Sequence, residues 1–143
     1  MSQTAITAQE RETFAKVADF LIPAYKRMPA ATEVGVHQEL LDSVLGFRPD
    51  LMEAFKRGLT QLAGKSAREG ANLLYQEDRA AFDAISLAAS AGYYMSPRVR
   101  ELIGYPGQEN VPYDPHETPG YLTDGQLEHV VRRGPIYRPT PRQ

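Results

Sequence analysis

Between Tyr105 and Gln143 the chain carries seven prolines (Pro106, Pro112, Pro115, Pro119, Pro135, Pro139, Pro141) and four tyrosines (Tyr105, Tyr113, Tyr121, Tyr137). Proline fixes φ and removes a backbone donor, so it interrupts helices and sheet ladders alike. A segment of this composition builds no packed core of its own. Disorder alone would account for the prolines, but regularly spaced rings are costly to leave in water and are favoured as interface anchors. Residues 105–143 therefore read as an extended arm that lies on a second macromolecule, and the chain as a partner subunit.

The remaining residues, 1–104, suffice for one helical domain close to the lower limit at which a core sustains itself. The chain has 143 residues, 42% of them hydrophobic, and a net charge of −2 with both signs interspersed. That balance gives no electrostatic footprint for nucleic acid or an anionic membrane. Arg132, Arg133, Arg138 and Arg142 make only the last residues locally basic. With no cysteine, disulfides, thiolate nucleophiles and iron–sulfur ligation are excluded. No stretch has the length of a membrane span, so direct insertion is not expected. Met1 to Ala8 shows neither a basic segment followed by an apolar run nor a twin arginine. The expected location is the cytoplasm, or the periplasm if the chain travels on a partner's signal.

Helical periodicity dominates residues 1–104. Thr7 and Glu10 have capping-box spacing, and Phe14, Val17, Ala18, Leu21 and Ile22 recur at helical intervals until Pro23. A second helix is expected to open at Thr32 or Glu33, with Val36, Leu40, Leu41, Val44 and Leu45 on one stripe. Asp50 can cap a third carrying Leu51, Phe55, Leu59 and Leu62, stopped by Gly64. Residues 64–75 read as loop or short helix. Glu77 and Asp78 open a fourth helix through Phe82, Ile85, Ala88 and Ala89, and Ser96-Pro97 starts a short one ending at Gly104. No alternating pattern supports a strand. The expected architecture is all-α, a small bundle of four to five helices followed by the arm.

Few residues offer chemistry. Gly64-Lys65-Ser66 has the close of a phosphate-binding loop, but Leu59 replaces its first glycine and the segment ends a helix instead of following a strand. Asp114, His116 and Glu117 sit among prolines without tetrahedral or facial-triad spacing, and a solvated loop describes them better. Glu10, Glu12, Asp19 and Asp42 read as water-facing charges on amphipathic helices. No catalytic, metal-binding or cofactor-binding residue is assigned. Ala88-Ala89-Ser90-Ala91-Gly92 presents a small-residue face that lets another backbone approach, and Tyr93 and Tyr94 follow it directly. The expected partner contacts are Tyr93, Tyr94, Tyr105, Pro106, Tyr113, Tyr121, Ile136, Tyr137 and Arg138.

Phe20-Leu21-Ile22-Pro23, Ala30-Ala31-Thr32-Glu33-Val34-Gly35-Val36, Gly92-Tyr93-Tyr94-Met95-Ser96-Pro97 and Leu102-Ile103-Gly104-Tyr105-Pro106-Gly107 resemble the gluconate 2-dehydrogenase subunit 3 family. These are packing motifs, and the resemblance covers roughly residues 10 to 107, with the arm as an extension. It implies a non-catalytic small subunit that binds and stabilises a large FAD-dependent flavoprotein of the glucose-methanol-choline oxidoreductase type. In such pairs the large subunit holds FAD and oxidises a sugar, glycoside or polyol hydroxyl. Many family members begin with a twin-arginine signal, from which this sequence departs. Two other readings stand beside this one: a stand-alone small enzyme using Asp114, His116 and Glu117, and a structural protein that self-associates by exchanging arms.

Overall fold

A computed structural model describes residues 5–110, 114, 116 and 119–136. The chain divides into two compact units, Met1–Gly107 and Gln108–Gln143, called here the body and the tail. The body holds α1 (Ala8–Leu21), α2 (Glu39–Phe47), α3 (Met52–Leu62), α4 (Ala67–Glu77), α5 (Arg79–Met95) and α6 (Pro97–Leu102). The tail holds two short helices, α7 (Gly120–Thr123) and α8 (Glu128–Arg133). Among the described residues there is no strand, so the protein is all-α. The arm read as extended contains these two helical turns.

Local chemistry sets most helix ends. Thr7 Oγ1 accepts the Glu10 amide at 3.2 Å while Glu10 accepts the Thr7 amide at 2.7 Å, completing the capping box of α1. Gly64 stops α3 with a left-handed φ of 74°. Asp78 caps α5 by accepting the Ala81 amide at 3.1 Å, and Pro97 opens α6 behind Ser96.

Two segments depart from the sequence reading. Thr32 to Val34 forms a 3-10 turn, and the second helix begins only at Glu39. Gly35 turns left-handed there, with a φ of 73°. Asp19 pins the turn from α1, accepting the Thr32 amide at 2.8 Å and the Thr32 hydroxyl at 2.7 Å. Asp19 is thus a structural acceptor and not a solvated charge. Asp42 does face water, as expected, and from there pairs with Arg11 at 2.6 Å, while Arg11 also donates to the His37 and Gln38 carbonyls. The second departure is α4, a full helix over what read as loop or short helix. Ser66 and Glu69 repeat the capping box of α1. Gly70 is tolerated because an added Cβ would collide with the Leu62 side chain of α3.

The core gathers around α5, which packs against every other body helix. Phe14 and Phe55 are fully buried and meet edge-to-face, ring centroids 5.2 Å apart. Fully burying a side chain of this size contributes about 1.5–3 kcal/mol. At the α3–α5 crossing, an added Cβ on Gly58 would lie 2.7 Å from Ile85 Cδ1 and 3.2 Å from Ala81 Cβ. Small residues there let the two backbones close up.

Candidate docking face

The body ends at the α5–α6 corner, where neighbouring side chains have opposite fates. Successive residues on a helix differ by about 100° in direction, so Tyr93 and Tyr94 cannot both face the core. Tyr93 is buried, and its hydroxyl donates to the Pro29 carbonyl at 2.7 Å. Burial pushes its phenol above the ordinary value. Tyr93 therefore ties α5 to the loop after α1 and is no surface anchor. Tyr94 is 58% exposed, with its ring edge-to-face against Tyr93 at 5.6 Å.

The small-residue face is also spent within the molecule. Ala88, Ala89 and Gly92 are buried, and an added Cβ on Gly92 would lie 3.1 Å from Val36 Cγ1 and 3.7 Å from Leu40 Cβ. The backbone that approaches this face is the chain's own segment leading into α2, so the expected use of the face for a partner is corrected.

What remains accessible lies along α5, α6 and the turn after it. Val99 is buried and anchors α6, whereas Tyr94, Ile103, Tyr105 and Pro106 are exposed. The turn is held in place, because Tyr105 donates its amide to the Arg100 carbonyl at 2.8 Å and the Arg100 guanidinium lies 5.4 Å from the Tyr105 ring centroid. These contacts carry the body through to Gly107. A second exposed aromatic cluster, which sequence reading missed, joins Phe20 and Leu21 of α1 to Tyr75 of α4 and Phe82 of α5 along one groove. Arg79 stacks on Tyr75 at 4.6 Å and pairs with Asp83 at 2.8 Å. Its signal was present in the sequence as Tyr75 and Phe82, but they belong to different helices and only the α4–α5 turn brings them together.

In the tail, every described residue from 108 to 136 is exposed. Tyr121 and Ile136 are among them; Tyr113, Tyr137 and Arg138 lie outside the described residues. Leu122, Leu127, Val130 and Val131 add exposed apolar surface that sequence reading did not single out. Asp114 Oδ1 accepts the His116 amide at 2.8 Å, a local turn. Among the described residues, no group of three His, Cys, Asp or Glu side chains is placed to hold a metal.

Gly64-Lys65-Ser66 closes α3 and caps α4. The Glu69 carboxylate accepts from the Ser66 hydroxyl at 2.6 Å and from the Ser66 amide at 3.2 Å, and these bonds lower its pKa. The protein's own carboxylate thus occupies the position that a bound phosphate would need. Among the described residues no helix is long and apolar enough to cross a membrane. None of the family models, curated proteins or solved structures compared with this chain matches it.

Proposed function

We propose that this chain is the non-catalytic small subunit of a heteromer whose large subunit is an FAD-dependent flavoprotein of the glucose-methanol-choline type, oxidising a sugar, glycoside or polyol hydroxyl. FAD belongs to the large subunit and this chain holds no cofactor. The resemblance stated on the sequence motifs supplies the identity of the partner. One structural observation supports a partner of some kind: the tail exposes Tyr121, Leu122, Leu127, Val130, Val131 and Ile136 together and buries none of its described residues. Leu122, Leu127 and Val131 share one hollow, and exposed apolar surface that adjoins in this way is characteristic of interaction sites. On the body, Tyr94, Ile103, Tyr105 and Pro106 are exposed as a second candidate contact set. A wrapping contact through both would bury on the order of 2,000 Å² or more, the range of permanent complexes.

Co-expression of the large subunit with the full chain, and with a chain ending after Gly107, tests this reading. The expected result is loss of complex yield and of flavin retention with the shortened chain. Unchanged yield and flavin content would reject the tail's role. Tyr94→Ala is expected to weaken the complex by roughly tenfold or more, as for an aromatic hot spot, while costing the body no more than its edge-to-face contact with Tyr93, about 0.5–1.5 kcal/mol.

A further inference from the structure

The tail's charges are segregated along the sequence. Residues 108–128 hold five acidic side chains (Glu109, Asp114, Glu117, Asp124, Glu128) and no Lys or Arg, while residues 129–143 hold four arginines and no Asp or Glu. The change of sign falls inside α8, Glu128–Arg133. Leu127, Val130 and Val131 follow the i, i+3, i+4 spacing that puts side chains on one helical face. Leu122, Leu127 and Val131 line one hollow, and all three are exposed. Arg132 flanks the apolar face, lining the same hollow and pairing with Glu128 at 3.8 Å, and Arg133 follows one step further round the helix.

We infer that α8 is the docking element of the tail, and that its site is an apolar groove on the flavoprotein with carboxylates beside Arg132 and Arg133 and with Lys or Arg side chains along the track of residues 108–128. This rests on the reading of the chain as that flavoprotein's subunit and adds the chemistry and direction of the contact. The apolar face supplies burial, while opposite charges at the two ends fix the polarity in which the tail is laid down. A track reversed end for end would set carboxylates against carboxylates, and like charges in contact at an interface reject the wrong orientation. An anionic membrane does not fit, because the five carboxylates of residues 108–128 would be repelled from it.

The test measures association of the full chain with the glucose-methanol-choline-type flavoprotein of the same organism across a range of salt. Arg132→Glu/Arg133→Glu is expected to slow association by roughly tenfold at low salt and to flatten its salt dependence, as rim charges do. Arg132→Lys/Arg133→Lys is expected to retain both. A photo-crosslinking amino acid in place of Val130 is expected to label a flavoprotein segment flanked by Asp and Glu. Unchanged rates in the charge-reversed variant, or crosslinks flanked by Lys and Arg, overturn this inference and leave the parent reading standing. Failure of the wild-type chain to bind the flavoprotein at any salt overturns the parent reading and this inference with it. Charge-dependent self-association of the chain, or recruitment to phosphatidylserine vesicles that the Arg132→Glu/Arg133→Glu change abolishes, assigns α8 another occupant and likewise overturns it.

Discussion

The body and the tail both carry large apolar side chains, yet they treat them in opposite ways. In the body Phe14, Phe55, Leu41, Leu74 and Ile85 are enclosed on all sides, and Tyr93 satisfies its hydroxyl internally. In the tail Tyr121, Val131 and Ile136 remain 54–76% exposed. Hydrophobicity is therefore not what separates the two regions. The body has helices long enough to give each apolar stripe a facing stripe. The described helices of the tail run for 4 and 6 residues, less than two turns each, and each is followed by a left-handed glycine, Gly125 or Gly134. Short elements cannot enclose a side chain, so the tail's described apolar residues stay exposed.

The contrast is sharpest where a body side chain is removed. Phe55→Ala deletes a fully buried ring and its edge-to-face partner contact with Phe14, and is expected to cost about 3–5 kcal/mol. That is a large share of the stability of a domain this size. Urea denaturation followed by circular dichroism reads it; a loss below about 1 kcal/mol would show that the core repacks around the gap.

Asp78 is the next lever, since its half-buried carboxylate holds three elements. It accepts from Arg57 at 2.7 and 3.1 Å, from Gln61 at 2.8 Å and from the Ala81 amide at the start of α5. The Arg57 hydrogen bonds lead, followed by the Ala81 amide, in holding its pKa well below the ordinary 3.8. A depressed folded pKa stabilises above the unfolded value and is lost as pH falls through the folded one. Asp78→Asn is expected to lower the denaturation midpoint at pH 7. The gap between variant and wild type should narrow as pH drops below about 4. A gap that stays constant from pH 7 to pH 2 would remove Asp78 as the source.

Tyr93→Phe gives a smaller effect, about 0.5–1.5 kcal/mol, because it removes one buried hydrogen bond and leaves the Pro29 carbonyl unpaired. Binding of the proposed partner should be unchanged, in contrast to Tyr94→Ala, which should weaken it. A reversal of that pattern would exchange the assigned roles of the two rings. The smallest effect belongs to the tail itself. Ending the chain after Gly107 is expected to move the body's denaturation free energy by no more than about 0.5 kcal/mol, since no described tail residue is buried. A larger shift would mean that the tail contributes to the body's core.

Much of the fold was legible because its signals are local. A capping box needs residues three apart, a stop needs one glycine or proline, and an amphipathic stripe needs a few turns. Helix α4 shows how such a signal is missed. Ser66-Glu69 has the same spacing as Thr7-Glu10, but Gly70 and Asn72 drew the segment toward loop. Only the packing of Gly70 against Leu62 of α3 shows why a glycine belongs there. The candidate docking face was half legible. Exposed Tyr94, Tyr105 and Tyr121 were expected, while the inward turn of Tyr93 and the apolar face of α8 were not.

The amino-acid sequence by itself determined where several helices begin and end, as at Thr7, Gly64 and Pro97, that the protein is all-α, and that charge reverses within its final third. Each of these depends on neighbours a few residues apart. Tertiary structure decided which of two adjacent tyrosines is hidden and which segment fills the small-residue face of α5. It also decided that Asp19 and Asp42 serve as braces. Those outcomes depend on what lies across a helix crossing, often dozens of residues away along the chain, where a shift of one residue turns a side chain through about 100° and exchanges core for solvent.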